Sequence, residues 1–289
     1  MSGEIDNAVR PLADASGRLA VLALDHGDPL VAMLDGLGLD SGPDAQRAVK
    51  RDIADTVGRD ASALLLDPDV SVRHVVETGA LGDGVALIVR IEADGYATGG
   101  GLRRSRLIEG IGAAGALERG ADAAKVMVFV RADREDLDGP AATVTRAALA
   151  DCRTHGLPCV IEAMTYRLDD ESEAAFAARR GELVREAAVL LEAAGAELLK
   201  LEYPGSPAGC EAVTAALGVP WAVLSAGVGH EEFCAQLEAS RAAGAAGFIA
   251  GRSLWKECVG LPAAERRAFL ETTGRRRFAE LVALLDRAG

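Results

Sequence analysis

The stretch PCVIEAMTYRLDDESEAAFAARRGELVREAAVLLEAAGAELLKLEYPG, residues 158–205, decides the fold. It opens on a short apolar run, PCVIEAM (158–164). It then passes through ESEAAFAARRGELVREAAVLLEAAG (171–195), rich in Ala, Leu, Glu and Arg with helical spacing, and closes on ELLKLEY (197–203). Apolar runs of this length, bounded by turn residues such as Gly195 and Pro204-Gly205, read as buried strands, and the helix between them makes the pair parallel. The same alternation extends in both directions. LAVLALD (19–25), SALLLD (62–67), GVALIVRIE (84–92), DAAKVMVFV (122–130), PWAVLSA (220–226) and AGFIAGR (246–252) bring the candidate strands to eight. ATVTRAALADCRTHG (142–156) is another of the helical segments between them. Gly156, Gly195, Gly218 and Gly244 follow helical segments, as a C-terminal cap requires. Eight β-then-α units with no composition break and no linker predict an α/β chain built as a single (β/α)8 TIM barrel, one domain over 1–289. The alternative, an open doubly wound sheet, lacks its fingerprint: GDPL rather than GxGxxG follows the first strand.

Composition bounds the function. With 289 residues, 49% hydrophobic and 26% charged, the chain suffices for one large core or at most two domains. A formal charge of −13 argues against a nucleic-acid partner, which needs a basic stripe. It also means that an anionic substrate must be captured by a local positive pocket against the overall field. The N-terminal MSGEIDNAVRPLADASGR carries charges throughout and offers no apolar targeting core. No apolar stretch approaches the roughly 18 residues of a membrane helix. Five scattered cysteines, Cys152, Cys159, Cys210, Cys234 and Cys258, form no CxxC pair and read as reduced thiols of a cytoplasmic protein.

Lys200 is the residue that needs explaining. It sits among Leu198, Leu199 and Leu201, where a charged ammonium is costly to bury. Of the 31 basic residues only four are lysines (Lys50, Lys125, Lys200, Lys256), and two of these lie in strand-like apolar runs. Strand alternation puts Lys200 with Leu198 and Glu202 on the barrel interior, leaving Leu199, Leu201 and Tyr203 for the helices. In the fourth strand Ala124, Val126, Val128 and Val130 form the outer face, so Lys125 points inward. Asp25 and Glu162 point inward by the same reasoning. In a barrel these strand ends form the active-site mouth. One reading is a buried salt-bridge network. The other is a Schiff-base lysine, whose amine becomes nucleophilic through desolvation and a neighbouring cation, here Lys125. The protonated imine is an electron sink that lets an adjacent carbon–carbon bond break.

The last two strands bear on the substrate. LSAGV (224–228) and GFIAGRS (247–253) place glycine and small residues at strand ends entering helices, where backbone N–H groups cradle phosphate. Arg252 adds a cation able to form two parallel hydrogen bonds.

GADAAKVMVFV, GLPCVIEAMTY, AELLKLEYP, PWAVLSAGV and AAGFIAGRSLWKE, with LLLDPD (64–69) and DGYATGG (94–100), resemble the class I tagatose-bisphosphate aldolase family, which includes sulfofructose-phosphate aldolases. The resemblance spans nearly the whole chain. It implies a metal-independent barrel aldolase, a homo-oligomer needing no cofactor, that cleaves a ketose phosphate to dihydroxyacetone phosphate and an aldehyde. Lys200 then matches the imine-forming lysine, Lys125 its companion, Glu162 the acid/base and Asp25 the first-strand aspartate. Ser225, Gly227, Gly251 and Arg252 match the phosphate loops. A transferase, synthase or isomerase on the same lysine, and a non-catalytic sugar-phosphate sensor, are the competing readings. One departure stands out. The family has Asp-Gln-Arg after the first strand, whereas this chain has Asp25-His26-Gly27-Asp28, which resembles archaeal-type class I fructose-bisphosphate aldolases. A second anion at the far end of the substrate is therefore expected to add little affinity, unless Arg103 or Arg104 in GGGLRRSR (99–106) reaches in. Otherwise those arginines begin a solvated helix. His26 is a candidate proton carrier, substrate hydrogen-bonder or structural histidine.

Overall fold

The computed structural model describes residues 10–286; the ends of the expected 1–289 domain and the start of the charged N-terminus lie outside the described residues. All eight apolar runs form strands of one closed parallel barrel. In chain order the strands are β1 (Leu19–Ala23), β2 (Ala63–Leu66), β3 (Ala86–Arg90), a hairpin of β4 (Ala97–Gly99) and β5 (Leu102–Arg104), then β6 (Ala123–Phe129), β7 (Cys159–Met164), β8 (Leu198–Leu201), β9 (Trp221–Leu224) and β10 (Gly247–Ala250). The barrel closes in the order β1-β10-β9-β8-β7-β6-β3-β2.

Period-two alternation divides the core in two. Outward side chains such as Ala124, Val126, Val128, Leu199 and Leu201 pack with the helices in one large cluster. Inward side chains, among them Leu19, Val21, Leu65, Ile88, Val160, Leu198 and Ile249, fill the lower barrel as a second cluster. Leu12, from a short turn ahead of β1, is fully buried in that second cluster.

The β7–β8 unit shows the local signals at work. Its helix, Glu173–Ala193, starts at Ser172, whose hydroxyl accepts from the Ala175 N–H at 3.2 Å. Gly195 then turns the chain at φ +102°. Gly156 and Gly244 do the same, at +66° and +105°. Gly218 does not. The helix Pro207–Ala216 ends on an extended Leu217, and the Gly218 N–H donates instead to Glu192 at 2.8 Å.

GGGLRRSR does not begin a helix. Gly99 pairs with Leu102, so Gly100-Gly101 form a two-residue loop with φ of +62° and +78°. Such a hairpin loop needs left-handed backbone at both positions, which two glycines supply.

Candidate active site

Toward the mouth the barrel interior turns from apolar to ionic within one pleat. Ile88 is followed on the same face by Arg90, Ala123 by Lys125, Val160 by Glu162, and Leu198 by Lys200. The helices cover the outer face, so these charges have only one another and the mouth as partners. They line a cavity of about 330 Å³ together with Asp25, His26, Ser225, Gly227, Gly251 and Arg252.

The two lysines differ in their company. Lys125 Nζ lies 2.9 Å from Asp25 Oδ2, 2.5 Å from Glu92 Oε1 and 2.7 Å from Glu162 Oε2. Asp25 and Glu92 accept hydrogen bonds from the ammonium, and Glu162 completes its ring of three carboxylates. Lys200 Nζ lies 2.9 Å from Glu162 Oε1. Glu162 stands directly beside Lys200 across the β7–β8 register, so its two oxygens bridge the amines.

Electrostatics sharpens the difference. Burial pushes Lys125 down, but Asp25, Glu162 and Glu92 outweigh it and hold its pKa well above the ordinary value, so Lys125 keeps its proton. Burial pushes Asp25 and Glu162 up, yet Lys125 and Lys200 prevail and hold both below the usual carboxyl range. For Glu92 burial wins over Lys125 and Arg90, and its pKa is raised. His26 lies edge-on to Trp255 at 5.3 Å. Burial, with Asp25 opposing and Arg252 and Lys200 reinforcing, pushes the imidazole down to about 3, so it is neutral near pH 7.

Across the mouth, Ala226 and Gly227 take left-handed backbone in succession, φ +47° and +80°. Lys256 Nζ donates to the Gly227 carbonyl at 2.7 Å and braces this turn. Arg252 opens the short helix Arg252–Trp255, and its Nε is buried without a partner among the described residues. A concave turn beside an uncommitted guanidinium suits an anion.

Three sequence readings change. Arg103 is not part of the cavity lining. Its guanidinium lies over Tyr96 and Tyr166, 4.5 and 4.6 Å from the ring centroids, and 5.4 Å from that of Phe129. Glu202 does not share the interior with Lys200, because β8 ends at Leu201. Its carboxylate accepts from the Thr165 N–H and hydroxyl at 2.8 and 2.6 Å, and from Arg180 at 2.7 Å. Glu92, the last residue of the run GVALIVRIE and given no role in the sequence reading, is a direct partner of Lys125. Met127, Phe129 and Met164 also line the cavity; they lie two and four residues beyond Lys125 and two beyond Glu162, so alternation alone could have found them. Asp94 and Tyr96 come from a loop and carry no such signal. Among the described residues no cluster of three His, Cys, Asp or Glu side chains is placed to hold a metal ion.

Known proteins give a consistent picture. A family model described as DeoC/LacD family aldolase matches residues 20–257. A tagatose 1,6-diphosphate aldolase of Streptococcus agalactiae is 27% identical, over 96% of this chain and 94% of that relative. One from Lactococcus lactis subsp. lactis is 26% identical, over 95% and 93%. Among solved structures, an archaeal fructose 1,6-bisphosphate aldolase superposes with a TM-score of 0.65 at 19% identity, covering 96% of this chain and 97% of that one. A fructose-bisphosphate aldolase of Slackia heliotrinireducens superposes with 0.65 at 15%, covering 97% and 89%. At these identities the structural matches carry the fold.

Proposed function

The chain belongs to the DeoC/LacD aldolase family, and from that premise we propose that it is a class I aldolase cleaving a ketose phosphate through an imine on Lys200. The observation that carries this choice of lysine is the partner count: Lys125 is committed to three carboxylates, Lys200 to one. A lysine attacks a carbonyl only after shedding a proton, and Glu162 Oε1 at 2.9 Å is the acceptor in reach. The amine adds to C2 of the ketose, and loss of water with the proton carried by Glu162 leaves a protonated imine. Asp25 or Glu162 then takes the proton of the C4 hydroxyl. The C3–C4 electron pair flows into the imine, the aldehyde departs, and an enamine of dihydroxyacetone phosphate remains. Protonation at C3 and hydrolysis return the lysine. Lys125 stays charged throughout and stabilises the negative charge on these carboxylates.

Ser225, the Ala226-Gly227 turn, Gly251 and Arg252 hold the phosphate of the three-carbon half, and His26, neutral and edge-on to Trp255, lines the same cavity. Support for that assignment is the buried Arg252 Nε, which has no partner among the described residues and lies beside the concave Ala226-Gly227 turn. Arg252→Ala is expected to lower kcat/KM by about ten- to a hundred-fold, the loss of one charge-assisted contact, chiefly through KM. Steady-state kinetics and inhibition by inorganic phosphate, weaker in the variant, check this.

Borohydride added with dihydroxyacetone phosphate should attach the triose mass to Lys200, read by peptide mass spectrometry. A ketose cleaved by protein whose Lys200 stays unmodified would overturn the assignment. The same reaction should continue in the presence of a chelator; activity lost to chelation and restored by zinc would point to a metal mechanism. No helix among the described residues is long and apolar enough to cross a membrane. Cytoplasmic location and a homo-oligomeric state complete the reading, supported by the five free cysteines and by the family resemblance respectively. Fractionation and light scattering test them.

A further inference from the structure

The order of strands separates the two ends of the cavity. β9 and β10, whose loops carry Ser225, Gly227 and Arg252, lie across the barrel from β3 and β6. A ketose held by its phosphate at β9 and β10, with its carbonyl at Lys200 on β8, therefore extends its aldehyde half toward β6 and β3. There the wall is apolar, formed by Met127, Phe129 and Met164.

Two arginines stand near that wall, and the tips of both are engaged; Nε of Arg90 is buried without a partner among the described residues. Arg103 is stacked among Tyr96, Phe129 and Tyr166 and is not part of the lining. Arg90 lines the cavity, but both oxygens of Asp94 hold its guanidinium, Nη2 to Oδ2 at 3.0 Å and Nη1 to Oδ1. The backbone at Gly27 approaches this carboxylate so closely that a Cβ there would lie 2.5 Å from Asp94 Oδ2, so a side chain at this position would displace the carboxylate from its present place. Asp28 adds a second carboxylate to the rim. An anion arriving at this end meets two carboxylates and a cation already paired.

We propose that Asp94 sets the specificity of this end: by engaging Arg90 through both oxygens it bars an anionic group, so the aldehyde half of the substrate is uncharged and the ketose is a monophosphate. This rests on the aldolase reading above. The uncharged chain lies against Met127, Phe129 and Met164, and no catalytic step changes.

The test runs the reaction in the direction of condensation, with dihydroxyacetone phosphate and three acceptors: propanal, glyceraldehyde and glyceraldehyde 3-phosphate. The wild-type protein is expected to give kcat/KM at least about ten-fold higher for a neutral acceptor than for the phosphorylated one. Asp94→Asn keeps the shape, removes the charge and frees Arg90. It should shift that ratio toward glyceraldehyde 3-phosphate by about ten- to a hundred-fold. Adding Arg90→Met should cancel the shift, which a merely structural role for Asp94 would not produce. The wild-type ratio decides alone if the variants do not fold. Equal or better use of glyceraldehyde 3-phosphate by the wild type, use of no neutral acceptor, or an unmoved ratio in folded Asp94→Asn overturns the proposal. Borohydride trapping on Lys200 separates the two layers. Trapped triose with the wrong acceptor preference defeats this inference only; absence of trapped triose defeats the aldolase reading and this inference with it.

Discussion

Lys200→Met should leave a folded barrel with kcat/KM for ketose-phosphate cleavage reduced by on the order of 10⁴-fold or more, equivalent to at least about 5 kcal/mol of transition-state stabilisation. Methionine nearly preserves the length of the side chain and cannot form an imine. The ion pair it removes is not the sole one of Glu162, because the other oxygen keeps Lys125 at 2.7 Å. No carboxylate is stranded, so the thermal midpoint should move by only a few degrees. Kinetics, borohydride trapping and calorimetry on the same preparation separate loss of chemistry from loss of fold. A variant that retained more than about 1% of wild-type kcat/KM would remove Lys200 from the centre of the mechanism.

Lys125→Met is expected to do the opposite: to damage stability as much as activity. Its ammonium joins Asp25, Glu92 and Glu162, and removing it strands the buried Asp25 and Glu92 and leaves Glu162 with Lys200 alone. Breaking a buried pair by deleting one partner costs about 3–5 kcal/mol. The pH dependence should also reverse. In the native protein Asp25 and Glu162 are held below their ordinary values, Lys125 being the largest of the charges responsible. The stability they contribute is present above the unfolded values, near pH 4, and is lost as pH falls through their folded values. Without Lys125, burial meets less opposition and the folded values rise. Stability then is fully present below about pH 4 and drains away as pH rises toward neutral. Urea midpoints should therefore be higher for the variant at pH 5 than at pH 8. A midpoint that rose from pH 5 to pH 8 would mean that the carboxylates do not depend on Lys125.

The fold was legible because its signals are local. Each barrel strand is an apolar run bounded by turn residues, and the helix between β7 and β8 announces itself by spacing, by Ser172 before it and by Gly195 after it. Several observed strands are shorter than the runs, because the polar residue near the run's end lies beyond the paired segment. Asp25, for instance, lies beyond the end of β1 at Ala23. Alternation also placed Lys125, Glu162 and Lys200 inward, since a period of two can be counted along a single strand. It failed at Glu202, where the strand had already ended; in GGGLRRSR the expected helix start is instead a hairpin, its loop made of two glycines.

By itself the sequence determined that eight parallel strands alternate with helices, that two scarce lysines and their carboxylates face inward, and that small residues follow the last two strands. Tertiary structure alone decided who meets whom: that Lys125 is saturated and Lys200 is not, that Glu162 bridges them, and that Asp94 engages Arg90 against Gly27. The reason lies in the range of the forces. A side chain's inward direction follows from its own strand, but its charge partner is set by barrel closure, which brings together residues as distant in sequence as Asp25 and Lys125. Desolvation then gives each such pair its chemical character, and it acts only once the chain has closed around it.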